Sequence, residues 1–428
     1  MSGSQLTKAG DVEIVDISIF NSKSIAINVI NQLISFEIYE DIFDGFISAR
    51  IALKDNIDLL NIFPLVGGEL VSINFTTPGI DKQYQYNKIF CVYRISDKIT
   101  DNRTSYYNLE LTTPEFLNNI NHQISRTFKG TGDDIVMKIV ESPYGLAHQT
   151  LGSVVCEKTS NSFAFTSNWW SPKKCIDYVC AHSLNVNGSP SYTFFQTRTG
   201  FQFVSFDTIL RNFNRNYPLQ TFRLDDIAIT ANQGSHETVQ YDINRQYQQI
   251  LDIEYHNEIN LVERVKNGFY GGTVNSYNGT LQIYNTNEIY SDFDVNSPHL
   301  NSCSPVSKIK LFDFNGNIEY IPRATQIHEG FDDSSDYRFR MQRKSYLARL
   351  GSSRINIKVH GRTDYTIGNI VKVLIPKSGE LNEDTEELYD PILSGNYLVS
   401  GVCHIVARGQ HICHLELIKD SYVKDVFV

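Results

Sequence analysis

The sequence predicts a mainly β protein with an α+β insertion, in which two similar antiparallel β-barrel domains flank a mixed α/β middle module. Three observations carry that expectation. The composition, with 24 Tyr and 25 Phe beside only 3 Met, favours strands and turns over long helices. Residues 12 to 113 place apolar side chains at alternate positions in "VEIVDISIF", "GFISARIAL", "ELVSINF", "KIFCVYRISDKI" and "SYYNLEL", which is the period of half-buried strands. The second half of the chain then repeats short stretches of the first in the same order.

Taken in chain order, the alternating stretches of residues 1–113 make a first barrel. "TTPEF" changes the period, with Thr113 as N-cap and Pro114 opening a helix over "EFLNNINHQISRTF". Two further helices follow, in "GDDIVMKIVES" and in "SPKKCIDYVCAHS", where Ser171 caps and Ile176, Val179, Cys180 and Ser183 share a face. "SYTFFQTRTGFQFVSF" reads as a hairpin turning at Thr199 and Gly200, so residues 114–240 form the middle module.

The repeat rests on three matches. "GFYGGTV" at 268 parallels "GFISARI" at 45, "GNIVKVLI" at 368 parallels "GELVSINF" at 68, and "NYLVSGVCHIVARGQHICHLEL" at 396 parallels "KIFCVYRISDKITDNRTSYYNLEL" at 88. The first two matches lie 23 residues apart in one copy and 100 in the other, which places an insertion of about 77 residues in the second barrel. The expected division is residues 241–290 for the start of that barrel, 291–349 for the insertion, 350–420 for the remainder and 421–428 for a tail. The insertion holds a hairpin around Asn315 and Gly316 and a charged helix in "SSDYRFRMQRKSYLARL" that packs back on the middle module.

A chain of 428 residues exceeds one ordinary core, and a net charge of −10 leaves no broad basic surface for nucleic acid. "MSGSQLTKAGDVEIVDISIF" lacks the basic start and apolar core of a secretory signal. No stretch reaches the length of a membrane span, so synthesis in a cytoplasm without membrane insertion is expected. Seven scattered cysteines read as reduced, mostly buried thiols.

Candidate chemistry is sparse. "FEIYEDIFDGFISARIAL" gathers Glu37, Glu40, Asp41 and Asp44, the residue type that glycosidases and hydrolytic metal sites use. Strand alternation and the turn turn them to water or a neighbouring subunit, without the burial that a general acid needs. "CHIVARGQHICH" supplies Cys403, His404, His411, Cys413 and His414, the right donors for zinc, but with no familiar zinc spacing and with Cys413 and His414 on opposite strand faces. Cys175 and Cys180 share a helix face poorly. Trp169 and Trp170 could stack a sugar or base but read better as a hydrophobic staple at a helix start. The acidic loop at 378–391 lacks the calcium-ligand pattern of an EF-hand, and no phosphate loop, nucleophile elbow or zincin motif occurs. No catalytic, cofactor-binding or metal-ligating residue and no cofactor is expected.

Three stretches resemble the central hub proteins of contractile phage tail baseplates, a family related in fold to the hub part of type VI secretion spike proteins. Residues 36–79, "FEIYEDIFDGFISARIALKDNIDLLNIFPLVGGELVSINFTTPG", resemble its first hub barrel. "NWWSPKKCIDYVCAHS" with the hairpin after it resembles the middle domain, and "SGNYLVSGVCHIVARGQHICHLELIKDS" the closing hairpin. The resemblance implies a structural, non-enzymatic virion protein: a homotrimer whose barrels form a ring of six similar units, adapting a sixfold tail tube to a threefold spike. Its implied partners are a spike protein trimer, tail tube or tube-initiator proteins and baseplate wedge proteins. DNA would pass through the channel without specific binding. A chain with two copies of one barrel meets the structural requirement for that ring independently. The alternatives are a tail-associated peptidoglycan hydrolase and a carbohydrate-binding tail module.

Overall fold

The computed structural model describes residues 8–21, 25–147, 152–213, 220–224, 243–256, 260–278, 282–290, 298–303, 311–312, 319–320, 324–330, 337–378 and 388–424. The first half contains β1 (Glu13–Phe20), β2 (Ala26–Asn28), β3 (Leu33–Asp41), β4 (Ser48–Asp55), α1 (Leu59–Ile62), β5 (Leu70–Thr76), β6 (Tyr86–Asp101) and β7 (Thr104–Thr112). They pair antiparallel in the order β3-β4-β7-β6-β5-β1-β2. Alternation sends Phe36 and Ile38 of β3, Ile51 and Leu53 of β4, and Leu109 and Leu111 of β7 into one buried core with Ile73 and Phe90. This curled sheet is the first barrel.

The middle of the chain holds α2 (Pro114–Asn121), β8 (Thr127–Thr131), α3 (Gly132–Val140), β9 (Ser153–Cys156), β10 (Ser162–Thr166), α4 (Pro172–His182), β11 (Tyr192–Thr197), β12 (Gly200–Ser205) and α5 (Phe206–Arg211). Helices α3 and α4 cover a small sheet ordered β11-β12-β9, around Ile135, Ile139, Ile176, Val179, Phe194 and Phe203. Ser171 caps α4 by accepting from the Lys174 amide, and Pro172 occupies the first turn, where its missing N–H costs nothing. Thr113 does not cap α2. Its hydroxyl lies 3.1 Å from Gln196 Oε1, a buried contact that outweighs the local one. The hairpin turns at Arg198 and Thr199, one residue earlier than expected, because Thr197 pairs with Gly200.

The remaining elements are β13 (Thr221–Arg223), α6 (Ile243–Gln248), β14 (Ile250–Tyr255), α7 (Leu261–Lys266), β15 (Gly271–Asn278), β16 (Ile283–Tyr290), β17 (Leu311–Phe312), β18 (Glu319–Tyr320), β19 (Ala324–Gly330), α8 (Tyr337–Leu350), β20 (Ser353–His360), β21 (Ile370–Leu374), β22 (Gly395–Ala407) and β23 (Gln410–Lys419). The second barrel follows the order β14-β20-β23-β22-β21-β13. It repeats the first barrel's β3-β4-β7-β6-β5-β1 strand for strand, except that β13 runs parallel to its neighbour. The "LEL" motifs occupy matching places: Leu111 opposes Val92 and Ala49, and Leu417 opposes Val399 and Ile355. Each copy also has a register shift at the next position, between Val92 and Arg94 and between Val399 and Gly401. A shared bulge at a shared place is strong evidence of duplication, since it is a local backbone feature that pairing alone does not require.

One of the three sequence matches does not hold. Residues 268–274 are not the partner of β4, because β15 pairs with β16 and β19 in a separate three-stranded sheet, and β20 occupies the place of β4. The second barrel is therefore interrupted between β14 and β20. Residues 221–223 also pair with β21 of that barrel and not with the middle module. From the insertion, α8 reaches back to the middle module, where Arg343 Nη1 donates to the carbonyls of Pro190 and Tyr192 at 2.7 and 3.0 Å. Strands β17 and β18 pair around the Asn315–Gly316 segment; that turn and residues 379–387 of the acidic loop lie outside the described residues.

Candidate functional site: a seam and two open strand edges

The two barrels are one sheet. The first part of β22 pairs with β21, then the bulge at Ser400 bends the strand, and residues 401–407 pair antiparallel with β3 from Gly401 opposite Asp41 to Ala407 opposite Ser35. The Ile42 amide closes the seam by donating to the Ser400 carbonyl at 2.8 Å. In the first barrel β6 is the counterpart of β22, and β5 likewise pairs only with its first part, up to Cys91. Beyond Tyr93 the other edge of β6 carries no strand among the described residues, and β14, the counterpart of β3, pairs on one side only, with β20. Each chain thus shows both halves of its own seam again, unpaired.

The open edges differ in charge. β14 presents the acids Asp252 and Glu254 with half-exposed Leu251 and Tyr255; the far half of β6 is mixed, with Arg94 and Lys98 beside Asp97 and Asp101 and with exposed Tyr93 and Ile99. The Ile253 amide, turned away from β20, is satisfied by its neighbour Asp252 Oδ1 at 3.0 Å. An edge amide with only a local partner is free to exchange it for a strand.

The outer face of the continuous sheet is polar and mixed in sign. Arg354 pairs with Glu416 at 3.2 Å, and Arg50 with Asp97 at 2.7 Å and Glu110 at 3.4 Å. Glu37, accepting from the Tyr39 hydroxyl, lies on the same face.

Behind the seam lies a buried polar junction with the middle module. Glu40 is there, and not at the surface as its sequence context suggests, because alternation along β3 puts it on the face of Phe36 and Ile38. Its carboxylate accepts from Thr366 at 2.9 Å and from Tyr86 at 3.3 Å. Burial pushes its pKa up, against the pull of those hydrogen bonds and of Lys88 and Arg198. Arg198 Nη1 donates to the carbonyls of Tyr84 and Thr363 at 3.0 and 2.6 Å, so the tip of the β11–β12 hairpin holds both barrels. Lys88 donates to the Thr197 carbonyl at 3.1 Å. Asp41 and Asp44 are exposed at the corner, where Asp41 accepts from the Phe43 amide. Glu37 and Glu40 point to opposite faces, so the four carboxylates form no shared acid–base pair.

Of the zinc-type residues, alternation sends Cys403 and His414 to the outer face and His404, His411 and Cys413 into the interior, where all three are fully buried. Their Nδ1, Nε2 and Sγ atoms face one another within 3.4 Å. Burial holds both imidazoles neutral, His404 down to about 3, and pushes the Cys413 thiol up. Cys175 and Cys180 are both buried in the middle-module core, with thiols pushed up to about 11 and about 12 by burial. Trp170 packs on Phe165 and Tyr178 beneath Lys174, whereas Trp169, at φ +52°, is 67% exposed. All seven cysteines are free, and no helix among the described residues is long and apolar enough to cross a membrane.

No known protein family and no curated protein matches the sequence. Among solved structures, the chain is similar to the 43 kDa tail protein of prophage MuSo2 from Shewanella oneidensis, at 8% identity and a TM-score of 0.54, over 95% of this chain and 98% of that one. It is similar to the tail protein from Neisseria meningitidis MC58 at 10% identity and 0.54, over 95% and 96%. A Francisella PdpA-VgrG complex gives 9% identity and 0.50 over 98% of this chain but 55% of that one. The duplicated barrels with their middle module are the fold of these tail proteins.

Proposed function

We propose that the chain is a structural component of a phage tail, the central hub of a baseplate, and that it works as a homotrimer. The observation that supports this most is the pair of open edges that repeats the internal seam. If β14 of one chain pairs with the far half of β6 of the next as β3 pairs with β22 within a chain, three chains close a ring of six similar barrels. Such a ring meets a sixfold tube on one side and a threefold spike on the other. In this reading residues 1–113 are the first barrel, the strands β13, β14 and β20–β23 the second, residues 114–213 stand outside the ring, and 256–352 form the insertion.

The polar outer face of the continuous sheet then lines the channel. Charges of both signs on it offset one another, as in the cross-strand pairs Arg354–Glu416 and Arg50–Asp97, which limits the net field available to hold DNA in passage. Spike, tube and wedge proteins are the partners. The native mass of the purified chain tests the trimer: roughly 146 kDa, three times 48.8 kDa, supports it, and a monomer that persists at high concentration contradicts it.

A further inference from the structure

The interior triad of His404, His411 and Cys413 has no part in the assembly reading and stands apart from it. It lies where the β22–β23 hairpin packs on the first barrel: the His411 ring meets Phe75 edge-on at 5.6 Å, and the His404 ring meets Tyr86 at 5.7 Å. The residues converge because the hairpin turns at Arg408 and Gly409, both with positive φ, which sets His404 opposite Cys413; His411, two residues before Cys413, shares its face. Gly361 makes room for the cluster, since a Cβ there would stand 2.3 Å from the His411 ring.

The three atoms form a nearly equilateral triangle with sides of 3.1 Å (His404 Nδ1 to His411 Nε2), 3.2 Å (Cys413 Sγ to His404) and 3.4 Å (Cys413 Sγ to His411). A point in its plane lies roughly 1.9 Å from each atom, so a cation slightly above the plane reaches the ~2.0–2.3 Å of zinc–nitrogen and zinc–sulfur bonds. We propose that His404 Nδ1, His411 Nε2 and Cys413 Sγ bind a zinc-type divalent cation that ties β22 to β23 in the closing hairpin of the second barrel, where that hairpin packs on the first.

Two imidazoles and a thiolate are donors of the softness that zinc takes, and they leave one tetrahedral position for water. Binding moves the Cys413 thiol proton to solvent and forms the sulfur–metal bond, leaving one net positive charge. The Glu40 carboxylate is near enough to act electrostatically on Cys413 and offsets it. When Nδ1 binds the metal, the His404 proton sits on Nε2, which has no partner in hydrogen-bond geometry, although the Tyr365 backbone acts on the ring from close by. Complete burial of all three donors makes the site structural and not catalytic.

The test is metal content of the full chain, refolded from chelator-treated protein with Zn²⁺ or Co²⁺ and checked for native secondary structure by circular dichroism. One zinc per chain, a thiolate-to-cobalt charge-transfer band saturating at one equivalent, and a thermal midpoint lowered by chelation are expected. Cys413→Ser should lose the charge-transfer band, whereas Cys403→Ser combined with His414→Gln, on the opposite strand face, should keep it. Folded wild-type chain that retains no zinc and shows no cobalt band would overturn the site, whatever the variants do. A band that survives in folded Cys413→Ser would overturn it as well.

Discussion

Gly401 lies opposite Asp41, the first rung of a ladder that makes two barrels one sheet. The far half of β22 is occupied on that edge by β3, while the far half of its counterpart β6 is open among the described residues. A strand with a vacant edge in one copy and a filled one in the other invites the same pairing from a second chain.

Ile253→Pro tests the edge. The Ile253 amide is turned from β20, so proline removes a donor that the second chain needs and leaves the internal ladder in place. The expected outcome is a folded chain by circular dichroism whose native mass falls from trimer to monomer. A variant that keeps the trimer places the contact elsewhere.

Arg198→Ala removes two charge-assisted hydrogen bonds that tie the hairpin tip to Tyr84 and Thr363, leaving their carbonyls short of a donor. A loss of about 2–3 kcal/mol in chemical denaturation is expected. Proteolysis should show the middle module cut before the barrels, because its hold on them is what the substitution weakens.

Gly361→Ala should cost about 1–3 kcal/mol through overpacking, because the added methyl collides with the His411 ring and both flanking segments are paired. An unchanged denaturation midpoint would mean that the ring does not hold this position.

Lys419 ends β23 in the interior, donating to the carbonyls of Ile392 and Ser394, and burial lowers its pKa from 10.5 to about 7. Between those values the unfolded chain carries a proton that the folded chain lacks. This group's contribution to stability therefore rises as pH climbs from about 7 towards 10.5, and its penalty is full below 7. Lys419→Met should flatten that part of the curve. Thermal midpoints of both proteins at pH 7 and pH 9 check it: a larger rise in the wild type is expected, and parallel changes would contradict the shift.

The sequence carried the barrels further than the site. The β5–β21 and β6–β22 correspondences were legible because alternation and the shared "LEL" both survive duplication. The Gly-Phe pair at 268 misled, since Phe269 packs under Arg264 beside α8, and membership of a sheet is decided by distant partners that a seven-residue match does not contain. Glu40 was misplaced for the same reason: its partners Tyr86 and Thr366 are 46 and 326 residues away. The interior triad was within reach, because a two-residue turn at Arg408 and Gly409 fixes which side chains oppose one another. Cys413 and His414 do point apart, and it is His404, across the turn, that faces Cys413.

The most direct test of the ring is imaging of the purified protein in negative stain, viewed down its axis. Six lobes of similar size around a central hole, alternating between two kinds with threefold symmetry, are expected. Compact particles without a hole, or closed rings with another number of lobes, would contradict the pairing of β14 with β6.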